Sequence, residues 1–194
     1  MHRMLFSSCL FIALLAAPLA YAQMHDDPAT VGGGSQSNLN QLFEDLKRES
    51  NEAAADRIVR RIREAWAESG GSTADLLVER AREAAAEDKF NVALDLLDQV
   101  VVLYPAYVEG WNSRALVYLM MNDYRRAMSD LANVLAVEPR HFEALNGMAG
   151  ILRLTGHVEE ALEVYRRMLD IYPMQRRVQR ALISIMESQP EQRI

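Results

Sequence analysis

The sequence predicts an all-α fold, an array of helical hairpins, on three observations. Half of its 194 residues are hydrophobic and a quarter charged, with only 9 Gly and 6 Pro, so helix formers dominate. Apolar residues recur at helical spacing in one segment after another. Three sets of residues also repeat with a period of 34: Pro105, Pro139 and Pro173; Ala93, Ala127 and Ala161; Ala81, Ala115 and Ala149. A fixed period of this size marks a repeat array.

The first element is an address. "MHRMLFSSCLFIALLAAPLAYAQ" has Arg3 near its start, an apolar run from Leu5 to Ala17, then Pro18 and the small-x-small end Ala20-Tyr21-Ala22. That is the layout of a secretory signal peptide, residues 1–22, cut after Ala22. The apolar run is short for a membrane anchor, and Pro18 breaks it, so no membrane span is expected after cleavage. Cys9 is the only cysteine. Its removal leaves no thiol for a disulfide, a metal site or a nucleophile. Loss of Arg3 moves the formal charge from −6 to −7. An acidic chain without a basic stripe is a poor ligand for nucleic acid.

Residues 23–37, "QMHDDPATVGGGSQS", have little to bury and read as a flexible leader. Residues 38–73 carry apolar stripes at Leu39, Leu42, Phe43 and Leu46, then at Ile58, Ile62, Ala65 and Trp66. They read as a degenerate helical hairpin in phase with the repeats, ending in Gly71 where a closing proline would stand. A polar-faced terminal unit is expected of such an array. Three full units follow, 74–107, 108–141 and 142–175. In the middle one, Trp111, Ala115, Tyr118 and Leu119 form one stripe, "MNDY" turns the chain, and Ala127, Leu131, Val134 and Leu135 form the next. Proline ends the second helix because it has no N–H and disfavours the α-region in the residue before it. The alanines let two helix axes approach closely. Residues 176–194 read as a single amphipathic capping helix and tail, with Val178, Leu182 and Ile185 on one face.

At these residues the chain resembles the tetratricopeptide repeat family. Its pattern Trp-x2-Leu-Gly-x2-Tyr…Ala-x3-Phe…Pro stands here as Trp111, Arg114, Ala115, Tyr118, Ala127, Leu131 and Pro139, with Arg114 where the family has Leu. The last unit matches through Leu145, Met148, Ala149, Leu152, Ala161, Tyr165 and Pro173. The first matches through Leu77, Ala81, Ala93, Leu97 and Pro105, with Arg80 and Ala84 in place of Leu and Tyr. The resemblance implies a right-handed α-solenoid whose first helices line a concave groove for an extended or helical peptide. The groove residues it implies are Asp75, Val78, Glu79 and Arg82; Glu109, Asn112, Ser113, Leu116 and Met120; and Glu143, Asn146, Gly147, Gly150 and Arg153.

Chemistry is not in view. His25, His141 and His157 share no ligand-like spacing, so each is expected to be an exposed polar residue rather than a metal ligand. Glu159-Glu160 suits a helix start, and "RIVRRIRE" a solvated face with Asp56–Arg60 as an i,i+4 pair. No nucleophile elbow, phosphate loop or HExxH occurs, so neither catalysis nor a cofactor is expected. The function expected is an exported, periplasmic adaptor that binds a partner protein or peptide. The alternative is a binder of a non-protein envelope ligand, a glycan or small molecule, but the groove positions hold no aromatic residue to stack on one. Asp75, Glu109 and Glu143 form an acidic column that would repel an acidic tail, so a neutral-to-basic extended segment is expected. Asn112 and Asn146 would hold its backbone.

Overall fold

The computed structural model describes residues 28–188. The expected signal peptide and the start of the leader, with His25, lie outside them. Among the described residues there are nine α-helices and no strand. They are α1 (Pro28–Arg48), α2 (Glu52–Ala67), α3 (Gly71–Ala86), α4 (Phe90–Leu103), α5 (Val108–Met120), α6 (Tyr124–Val137), α7 (Phe142–Leu154), α8 (Val158–Ile171) and α9 (Arg176–Ser188), with a 3-10 turn at Glu68–Gly70 before α3. The fold is an all-α helical solenoid: α3–α4, α5–α6 and α7–α8 form successive hairpins, each packed on the next. No described helix is long and apolar enough to cross a membrane.

The periodic residues act as the pattern requires. All six column alanines are fully buried, so each hairpin closes on a pair of methyl groups. Tyr104, Glu138 and Tyr172 leave the helical region immediately before their prolines, at φ −129, −125 and −130°. A further column lies in the turns. Asp88, Asn122 and Gly156 have φ 60, 58 and 85°, left-handed values that end the first helix of each hairpin. The next residue's N–H reaches back five residues in each case: Lys89 to Ala84 O, Asp123 to Tyr118 O, His157 to Leu152 O, at 2.8–2.9 Å. No neighbour would touch a methyl group at Gly156. Gly156→Ala should therefore cost only the strain of holding a Cβ in the left-handed region, about 1 kcal/mol in thermal or urea unfolding, with helix content unchanged.

Arg114 does not disturb the core. Its guanidinium donates twice to Asp130 of α6 at 2.8 Å and to Asp98 of α4 at 2.7 Å. It also lies over the Trp111 ring, 5.0 Å from the centroid. One side chain ties three helices together where an apolar residue would have filled a single gap.

The N-terminal hairpin departs from expectation twice. Helix α1 begins at Pro28, so residues 28–37, expected as a flexible leader, belong to the first helix; proline suits a first helical position, where its missing N–H leaves no bond unmade. More consequentially, α1 and α2 are not stacked on α3 as a preceding repeat. They lie as a strap along the edge where each hairpin passes to the next. Asp56 accepts from the Tyr172 hydroxyl at 3.0 Å, at the end of the third hairpin. Further along α2, Trp66 stacks on His141 with ring centroids 4.0 Å apart. The Ala67 carbonyl then accepts from Tyr107 at 2.8 Å, before the second hairpin. Phe43 of α1 lies under Arg140, 4.1 Å from ring to guanidinium. The strap thus runs from the third repeat back to the first, and its Leu42, Phe43, Leu46, Val59, Ile62 and Trp66 are buried. The outer side of α3 needs no covering hairpin. One period before Ser113 and Val117, both buried, it carries Glu79 and Glu83, both exposed.

Candidate functional site

The concave face has a closed half, at the starts of α3, α5 and α7, and an open half at their ends. In the closed half Glu109 is 5 % exposed. One oxygen accepts from His141 Nε2 at 3.2 Å and the other from Arg82 at 2.7 Å, with Asn112 Nδ2 at 3.5 Å. His141 is fully buried; its Nδ1 accepts the Ala144 N–H at 3.1 Å and caps α7, which places the ring proton on Nε2. Burial alone would push the Glu109 carboxyl up, but the bond from His141 and the charge of Arg82 hold it below its ordinary value. Glu143 accepts from Arg63 of the strap at 2.6 Å. Asp75 is half-buried, and burial together with its carboxylate raises the Tyr107 hydroxyl's pKa.

These contacts correct several expectations. His141 is neither exposed nor a bystander, because it caps a helix, carries Trp66 and holds Glu109; His157 does lie exposed in its turn. The basic run of α2 is not wholly solvated, since Arg63 binds Glu143 and Asp56 binds Tyr172. The acidic column does not face a partner at three successive steps: Glu109 is sealed inside and Glu143 is neutralised by Arg63. Glu109, His141 and Glu143 do bring donor atoms within 4.8 Å of one another, the spacing of a metal site. Each is already engaged. A cation on Nε2 would move the ring proton to Nδ1 and break the α7 cap, so the group is an ion-pair network.

Of the other expected residues, Val78 is buried in the core, and Leu116, Met120, Asn146 and Arg153 lie in the open half. Leu116 and Met120 are 55 % and 43 % exposed, and Asn146 and Arg153 are exposed as well, whereas Glu79 stands on the outer side of α3, away from this face. Two cavities flank Leu116. One, of about 190 Å³ between α3 and α5, is lined by Ala81, Ala85, Leu97, Ser113, Leu116 and Met120 among others. The Ser113 hydroxyl is buried there without a hydrogen-bond partner. The other, of about 330 Å³ between α5 and α7, is lined by Asn112, Leu116, Leu131, Glu143, Asn146 and Gly147 among others. Of the two groove glycines, Gly150 faces open space, whereas a methyl group at Gly147 would meet Leu131 at 3.2 Å. Gly147 therefore serves the close approach of α7 to α6 rather than a vacancy.

Hairpins of 34 residues closed on paired alanines, with a concave face lined by their first helices, define the class of protein. The comparisons agree. The tetratricopeptide repeat family model matches residues 118–183. A TPR repeat-containing protein of Rhizobium etli is 43 % identical over 144 residues, which cover 74 % of this chain and 71 % of that one. The chain belongs to the tetratricopeptide repeat family. Among solved structures it is similar to the first TPR of Spaghetti (RPAP3) bound to the HSP90 peptide SRMEEVD, with a TM-score of 0.56 at 21 % identity over 59 % of this chain and 94 % of that one. It is also similar to the type III secretion translocator chaperone SycD of Yersinia enterocolitica, with a TM-score of 0.58 at 15 % identity over 63 % and 98 %. At such identities these two establish the shared fold.

Proposed function

We propose that the chain is an adaptor without catalytic activity that holds a segment of a partner protein in the open half of its concave face, and that it works outside the cytoplasm after export. The observation that carries this is the pair of cavities around Leu116, an exposed leucine that nothing in the fold requires to be apolar. A solved relative in fold is bound to a peptide, which supports the reading. The segment is extended, with one apolar side chain in each cavity and its backbone against Asn112 and Asn146. It is neutral: the basic preference drawn from the acidic column loses its ground with Glu109 sealed and Glu143 paired. Export rests on the residues around Ala20-Tyr21-Ala22, and N-terminal sequencing of the chain from its own envelope fraction should begin at Gln23.

A photo-cross-linking residue at Leu116 should join the chain to a discrete partner in cells, while the same residue at exposed Ala132 on α6 should not. Leu116→Asp should abolish co-purification of that partner and leave the melting temperature within a degree or two, as expected of an exposed site. Equal cross-linking from both positions would place the partner elsewhere.

A further inference from the structure

Helix α9 is, by register, the first helix of a further hairpin. One period beyond Ala81, Ala115 and Ala149 lies Ile183, and one beyond Leu152 lies Met186. In the repeats the alanine is buried against the second helix of its own hairpin. In α9 the same face is open: Ile183 is 52 % and Met186 51 % exposed, while Val178 and Ile185 on the opposite face are buried. Three and four residues from Ile183 toward each end, this open face carries Arg180, Gln179, Met186 and Glu187.

The charges of α9 run against its dipole. Arg176 and Arg177 open the helix, Arg180 follows, and Glu187 stands in its last turn, with no acid at the start and no base at the end. Each charge lies at the helix end it disfavours. Neither Arg180 nor Glu187 bonds to another described residue. An antiparallel neighbour with the same charges relieves both ends at once. With a twofold axis between Ile183 and Ser184, Arg180 of each copy faces Glu187 of the other, and Ile183 and Met186 meet between the two pairs.

We propose that α9 is a self-association surface on which two copies of this chain pack antiparallel, through Ile183 and Met186, with two reciprocal Arg180–Glu187 ion pairs. The contact is one helix face, small beside the ~1,200–2,000 Å² of stable interfaces, so the dimer is weak and its population follows concentration. It leaves the Leu116 cavities free, so dimerisation and partner binding stand or fall separately.

Sedimentation velocity on the chain as the cell processes it, from about 1 to about 500 μM, tests this, because a weak dimer changes its population across that range. The weight-average coefficient should rise with concentration. Ile183→Glu should hold it at the monomer value with unchanged helical circular dichroism. Arg180→Glu and Glu187→Arg should each weaken association at least fivefold, and the two together should restore it. The charge swap decides the matter even if Ile183→Glu perturbs folding. A monomer throughout the range, or a dimer indifferent to both single reversals, would overturn the proposal.

Discussion

Replacing Arg114 by leucine, the residue the family pattern has at that position, should destabilise the protein by about 3 kcal/mol, because it strands a buried carboxylate. The Asp130 side chain is 4 % exposed, and its two oxygens take both of their hydrogen bonds from Arg114. Asp98, the other partner, is exposed and finds water instead. Leucine would fill part of the space above Tyr118 and give up the cation–π contacts with Trp111 and Tyr118. The double variant Arg114→Leu, Asp130→Leu should recover most of the loss, since a buried pair replaced by apolar residues is often neutral or better. Urea unfolding of the wild type, both single variants and the double closes the cycle. If Arg114→Leu alone is as stable as the wild type, the pair contributes nothing and the gap it fills is only a matter of shape.

His141→Ala should cost a similar amount, about 3 kcal/mol: roughly 1 for the α7 cap and 1–3 for the bond taken from buried Glu109. It should also detach the strap locally, because Trp66 loses the ring it stacks on. Tryptophan fluorescence would shift to the red at denaturant concentrations where the circular dichroism of the repeats is still intact. His141→Asn keeps a capping oxygen and should recover only the cap's share. The site also makes stability depend on pH. The folded state holds the Glu109 carboxyl below its ordinary 4.5, so its contribution is complete above that value and is lost as pH falls through the folded value. Glu109→Gln should flatten the acid limb of the stability curve. An unchanged limb would show that the network does not carry the charge.

The repeats were legible because their information is local and recurs. A proline at 105, 139 and 173 stops a helix wherever it stands, and an alanine at 81, 115 and 149 permits close packing whatever its neighbours. The groove residues Leu116, Met120 and Asn146 could be placed by counting from those marks, and in the structure they line the two cavities of the open half. The left-handed turn column at Asp88, Asn122 and Gly156 was equally periodic but harder to see. What repeats there is a backbone conformation that three different residue types adopt.

The hairpins, their order and the positions of their turns were thus written into the chain locally. Where residues 28–67 go, and what they do to the concave face, follows from long-range packing instead. Hairpin stacking is a contact between neighbours in the chain, and its period exposes it. The strap joins Asp56 to Tyr172 across 116 positions and Arg63 to Glu143 across 80, with no period to mark either pair. Trp66 and Phe43 read equally well as parts of a stacked hairpin or of a lateral one, since both bury the same apolar stripe, and nothing local marked His141 as buried. The choice falls to shape and charge along the inter-repeat edge. There His141 offers Trp66 a flat ring, Glu143 meets Arg63, and the Ala67 carbonyl accepts the Tyr107 hydroxyl. Those contacts shut the acidic half of the groove and leave the apolar half open.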